Sequence, residues 1–224
     1  MDVVLRADLV DAHHQAWDAL GRPGTWWTAE QRLELAATAL VSITSDRPLA
    51  PWVAPSTVDG WLPAAPVAPT VAHDAIHRVA AHAGTVTESW YQRIAAELGD
   101  LPYVEIVGIA CTVAAVVAFR RAAGLVRSEL PSPVAGDPSR VVPPDLVPAA
   151  LNWVRVTSPA DARAAVVQAF TSVPDEHRRL WMLADAQYIP DLEMVDPRWT
   201  RGTLSRPQME LVAARVSQLR QCFY

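Results

Sequence analysis

Apolar residues recur along this chain at helical spacing, and proline and glycine mark the breaks between the runs. About Val4 to Leu20 reads as a first helix, stopped at Gly21-Arg22-Pro23-Gly24. A second opens at Thr28, whose hydroxyl can cap while Gln31 reaches back in a capping box. Leu33, Ala36, Ala37, Leu40 and Val41 follow as its apolar stripe. A third covers about His73 to His82, and Thr87 can cap a fourth, Glu88 to Leu98, which Gly99 stops. Pro102 suits the first turn of a fifth that runs to Ala123. Ser158-Pro159 starts a sixth ending near Ser172, and Pro174 starts a seventh ending about Tyr188. Ser205 and Gln208 form another capping box, and the helix they open runs to the end of the chain. No alternating run is long enough to name a strand, so the pattern predicts an all-α fold.

Six of the nineteen prolines fall between Pro48 and Pro69, and six more between Pro131 and Pro148. Neither stretch can be helix interior, because each proline removes a donor and clashes with the preceding turn. The second belt divides the chain into an N-terminal helical half (1–130), a proline-rich linker (131–148) and a C-terminal helical half (149–224). An internal echo supports two similar halves. Trp27 to Ser42 and Leu204 to Ser217 each present a cap, a glutamine, then Glu-Leu ahead of an alanine-rich face, with Glu34 laid on Glu210.

Composition narrows the function classes. With 51% hydrophobic residues, 19% charged residues and a net charge of -5, the chain can support a core and is not disordered. The longest uncharged stretch, Ile106 to Phe119, is short of the roughly 20 residues a bilayer needs, so it reads as a core helix and no membrane is expected. Charges interrupt the N-terminal stretch where a signal peptide needs an apolar run. Two cysteines cannot build a disulfide framework, and the expected location is cytoplasmic. Every basic residue is arginine, and the arginines are dispersed and outnumbered 24 to 19 by acids, which leaves no nucleic-acid footprint.

Candidate chemistry concentrates in the last helix. Cys222 is a potential nucleophile once its thiol is deprotonated, and the Glu210 carboxylate is a potential proton acceptor. Twelve residues of straight helix rise about 18 Å, so the two can cooperate only across a break or through a neighbouring helix; on spacing alone, the pair reads as a surface glutamate and an incidental cysteine. His73 and His77 lie four apart, a spacing that could hold a metal, but no HExxH accompanies them. They read as a solvated or hydrogen-bonded pair with no metal, and His77 is a candidate pocket residue. Glu105 opens the most apolar helix, either as a pocket carboxylate or as an acid favoured by the helix N-terminus. Cys111 reads as a small core residue, and His13-His14 and Arg120-Arg121 read as solvated helix ends.

The segment PQMELVAARVSQLRQCFY resembles the signature helix of the alkylhydroperoxidase D and carboxymuconolactone decarboxylase superfamily: Glu, eleven residues, Cys, two residues, Cys, three residues, His. Glu210 and Cys222 fall on its first two fixed positions. The tail is most similar to the alkylhydroperoxidase-related selenoproteins, in which CFY precedes selenocysteine or cysteine. GTWWTAEQRLELAA, the stretch from Ala75 to Leu125 and SVPDEHRRLWMLADAQYIP extend the resemblance over more than half the chain. It implies an AhpD-like helical fold and an antioxidant thiol- or selenol-dependent hydroperoxide reductase. Glu210 and Cys222 would be catalytic, and His77, Glu105 and Tyr224 would be pocket residues. The implied partners are a hydroperoxide substrate, an external thiol or disulfide reductant and further copies of the chain, with no cofactor.

The given sequence ends at Tyr224, one residue before the second redox position. The expectation is therefore that this form is weak or inactive, because a lone Cys222 can become a sulfenic acid but cannot close a neighbouring disulfide. The expected next codon is UGA, recoded as selenocysteine. In the first-half echo, Asp46 and Leu49 occupy the thiol positions, so that half is expected to be catalytically empty. The alternative is a non-catalytic helical scaffold or small-molecule-binding protein on the same fold. A lactone decarboxylase, which would leave Cys222 idle, is a third reading.

Overall fold

The computed structural model describes residues 4–149, 152–158 and 165–219. It is 57% helix and 4% strand, which places it among all-α folds. The helices are α1 (Ala7–Asp18), α2 (Ala29–Thr44), α3 (Thr70–His82), α4 (Glu88–Leu98), α5 (Asp100–Ala122), α6 (Ala165–Gln168), α7 (Pro174–Gln187) and α8 (Arg206–Leu219). Cys222, Tyr224 and the expected cap at Pro159 lie outside the described residues.

Local chemistry sets the helix ends. At α2, Thr28 Oγ1 accepts the Gln31 N–H at 3.3 Å, and Gln31 Oε1 accepts the Thr28 N–H at 3.1 Å, so the capping box is complete. Thr87 caps α4 through the Trp90 N–H, and Gly99, at φ 92°, adopts the left-handed backbone that lets α5 begin at the next residue. At α8 the box is half formed: the Ser205 N–H donates to Gln208 Oε1 at 2.8 Å.

The main core lies between α2, α3 and α5, where Leu35, Ile76, Ile106, Ile109 and Val113 are fully buried. α4 adds Trp90, Tyr91 and Ile94. α5 is long and apolar enough to cross a membrane by length and composition, but 61% of its most apolar window is buried among other parts of the chain. It is apolar on most sides because it is packed on most sides. A second cluster joins α1 to α7 through Ala12, Ala16, Leu183 and Ala186. A third packs Leu101 and Val104 of α5 against Phe170 and Val173.

After α5 the chain runs without helix along the turn that follows α1. Val134 N–H donates to Gly21 O, Ser139 N–H to Gly24 O and Arg140 N–H to Thr25 O, while Trp17 Nε1 donates to Glu129 O. The Arg140 guanidinium lies over the Trp26 ring. This proline-rich stretch thus obtains its hydrogen bonds from a neighbour, as residues that cannot be helical must.

Three expectations need correction. First, two strands exist: Leu146–Pro148 (β1) pairs antiparallel with Arg155–Thr157 (β2), each three residues long and too short to show an alternating pattern. Second, the buried face of α2 is rotated from the apolar stripe. Arg32, Leu35, Ala36, Ala39 and Ser42 face inward, while Val41 is exposed, because buried polar partners draw the polar residues in. Third, His13 is buried, stacked on Phe119 with Nε2 2.8 Å from Gln187 Nε2; only His14 faces solvent.

Burial pushes His13 and His77 down to about 4 from an ordinary 6.5. Between pH 6.5 and 4 the unfolded chain therefore binds more protons than the folded one, so stability is complete above 6.5 and falls as pH drops through this window. Thermal melts from pH 7 to 4.5 should show a declining Tm, and His13→Gln should remove part of the decline. A flat profile for the native chain would contradict it.

Candidate functional site

The largest concentration of buried charge joins α2, α5 and α7. Arg32 is fully buried, and its Nη1 donates to Glu105 Oε1 and, at 2.9 Å, to Glu176 Oε1. Glu105 Oε2 accepts the Trp26 N–H at 2.6 Å, and Arg179 donates to the same Glu176 oxygen that Arg32 uses. Two glycines make room: a Cβ at Gly24 would fall on Glu105 Oε1, and one at Gly108 would lie 2.5 Å from Glu176 Oε2. Burial raises the Glu105 pKa against the pull of Arg32. Burial would also raise that of Glu176, but Arg32 and Arg179 together outweigh it and hold the carboxyl below its usual range. Glu105 is therefore one arm of a structural ion cluster, more deeply placed than an acid at a helix N-terminus.

Cys111 stands beside this cluster on α5. It is half-buried, in the wall between a small cavity of about 70 Å³ that also touches Glu176 and a larger one bordered by Tyr103 and Phe170. Burial and then the Glu176 charge push its thiol up to about 11. It is a protonated, weakly nucleophilic thiol at neutral pH.

The histidines of α3 form a second polar seam. His73 Nε2 lies 2.8 Å from Glu34 Oε1, and its Nδ1 lies 2.8 Å from Thr38 Oγ1. Carboxylate, imidazole and hydroxyl thus follow one another as in a hydrolytic triad, but His73 and Thr38 are buried and border none of the cavities described here. Glu34 also accepts the Val67 and Ala68 N–H groups, so it ties the first proline belt to α2. His77 Nδ1 lies 2.8 Å from Ser42 Oγ, and its ring meets Trp61 and His82 edge-on. The pair is hydrogen-bonded and buried, and among the described residues no group of three or more His, Cys, Asp or Glu is placed to hold a metal.

Glu210 lies in the second turn of α8. Tyr188 Oη donates to its Oε2 at 2.8 Å, and Arg206 Nε donates to its Oε1 at 2.6 Å. These two bonds hold the carboxyl below its usual range, so it is ionised at neutral pH. Burial and then Glu210 itself push Tyr188 up to about 12. Tyr188 also borders an open cavity of about 700 Å³ between the end of α7 and α8, where Met209, Val212 and Val216 supply apolar wall and Arg6 and Arg201 supply cations. The structure therefore separates the candidates: Glu210 is in one place, Glu105 in the core and His77 in the α2–α3 seam.

Sequence reasoning did not find Arg32, Glu176 or Tyr188. Arg32 left a signal, since it sits three and four residues before Leu35 and Ala36 on what becomes the buried face. Glu176 left none, because an acid in the first turn of a helix is ordinary at a surface.

Arg32→Leu would leave two buried carboxylates without their shared cation and should cost about 3–5 kcal/mol in urea unfolding. Gly108→Ala should cost about 1–3 kcal/mol, because the added Cβ must displace Glu176. A wild-type midpoint for either variant would show that the cluster does not hold these helices together.

No protein-family model matches the chain, nor does any curated protein or solved structure, so what it does must be read from its own residues.

Proposed function

We propose that the chain is a thiol- or selenol-dependent hydroperoxide reductase of the alkylhydroperoxidase D-like type, with its redox centre on α8 and the sequence that follows. The observation that carries this reading is the Glu210 carboxylate, kept ionised by Arg206 and by Tyr188, which itself borders an open, largely apolar cavity. Such a carboxylate is in the form that accepts a proton, although the same two bonds make it a weaker base than an ordinary glutamate. It takes the proton of the Cys222 thiol across a break beyond α8 or through a neighbouring helix, because a straight helix would hold the two about 18 Å apart. The sulfur then attacks the outer oxygen of a hydroperoxide, the O–O bond breaks, and the alkoxide leaves as the alcohol with the proton held by Glu210. Sulfur is oxidised by two electrons to the sulfenic acid, and the peroxide is reduced. An external thiol displaces water from the sulfenic acid, and a second thiol frees Cys222 by exchange with the mixed disulfide.

The apolar wall of Met209, Val212 and Val216 suits an alkyl chain better than hydrogen peroxide alone. Reduction by an external thiol fits a reducing compartment such as the cytoplasm. α8 also presents Leu211, Val212, Val216 and Leu219 at more than half exposure, a face that supports assembly with further copies of the chain.

The test is trapping of the sulfenic acid with dimedone after exposure to cumene hydroperoxide, read by peptide mass spectrometry. The adduct should form on Cys222 and not on Cys111, and Glu210→Gln should slow it at least tenfold. Tyr188→Phe should slow it less, because Arg206 still holds the carboxylate. Absence of an adduct on Cys222, or an adduct on Cys111 alone, would overturn the assignment in favour of a non-catalytic scaffold.

A further inference from the structure

The cavity behind Cys111 has a chemistry of its own. It measures about 370 Å³, within the range of small-molecule sites, and lies between the start of α5 and the segment that carries β2. Tyr91, Tyr103, Trp153 and Phe170 are its aromatic walls, with Val104 and Val107 beside Cys111. The Tyr91 and Trp153 rings are near-parallel, 25° apart with centroids at 6.0 Å, and Tyr103 meets Tyr91 at 61°. Both tyrosines are more than nine-tenths buried, but neither phenol oxygen is among the fully enclosed unpartnered atoms of the described residues, so both hydroxyls stay accessible at the cavity wall. Two accessible hydroxyls on the wall of one aromatic cavity are donors that the acceptor of a bound molecule can use.

Charge narrows the class of that acceptor. None of the residues lining the cavity is acidic or basic. The nearby Arg155 and Asp100 satisfy each other, with Arg155 Nη2 3.0 Å from Asp100 Oδ1. A charged ligand would lose its hydration without compensation. Burial raises both phenols and keeps the Cys111 thiol protonated, so all three act as neutral donors. We propose that this cavity is a binding site for a neutral, flat aromatic molecule bearing a carbonyl-type hydrogen-bond acceptor, which stacks on Trp153 and Tyr91 and receives the Tyr91 and Tyr103 hydroxyls. The site is separate from α8 and does not depend on the peroxidase reading.

The experiment titrates the full chain with 2-acetylnaphthalene, which is neutral with one acceptor, beside naphthalene, which has none, and 2-naphthoate, an anion. Binding is followed by calorimetry, and the alkylation rate of Cys111 reports occupancy of this cavity. 2-Acetylnaphthalene should saturate, slow Cys111 alkylation at least fivefold and bind at least tenfold more tightly than 2-naphthoate. Trp153→Ala should weaken it about tenfold; Trp153 is 48% exposed, so its loss should leave the fold intact. Tyr91→Phe combined with Tyr103→Phe should bring its affinity down to that of naphthalene. If a variant fails to fold, protection of Cys111 in the native chain decides alone. No saturable binding, no protection of Cys111, or preference for 2-naphthoate would overturn the proposal.

Discussion

A guanidinium with no access to water has to be neutralised by the protein itself, and Arg32 imposes that demand at the centre of this fold. Taking an isolated charge out of water costs several kcal/mol even after relaxation, so α2 can bury Arg32 only where carboxylates meet it. One comes from α5 and the other from α7. Because all three groups are stiffly placed, the cluster sets the distance between these helices as well as their contact. Gly24 and Gly108 follow from it, since any larger residue would occupy the space of a carboxylate. The position of α7 follows too, and with it the position of Tyr188 at its end, where the Glu210 carboxylate is held. The surface site on α8 is thus aligned from the interior.

Local signals in the sequence were reliable, and signals that depend on distant partners were not. The bounds of α4 and the capping of α2 were legible because Thr87, Gly99, Thr28 and Gln31 act within a few residues of themselves. The inward face of α2 was not. Arg32 is tolerable there only because Glu105 and Glu176 meet it, while Thr38 and Ser42 donate to carbonyls of their own helix and also meet His73 and His77. His13 was misplaced for the same reason: Gln187, which lies beside it, is 174 residues away. Glu210 was legible as a candidate, but Tyr188, the partner that tunes it, was not.

The echo between α2 and α8 shows how little a shared pattern says about role. Glu34 and Glu210 occupy matching positions, and both are held ionised. Glu34 is spent on two backbone N–H groups and an imidazole inside the molecule. Glu210 retains an accessible carboxylate, 46% exposed, steadied by only two side chains. The first is a brace and the second is able to exchange protons with a ligand, although the surrounding residues read alike.

The Arg32–Glu176 contact closes across 144 positions of the chain. During synthesis at about 5–20 residues per second, α2 is made roughly 7–30 s before its second carboxylate exists. Through that interval Arg32 has only Glu105 as a partner, and α7 then brings Glu176 together with Arg179 to complete the cluster. The last large helix to leave the ribosome before α8 is thus the one that completes the interior, which delays commitment to the native state until most of the polypeptide has been translated.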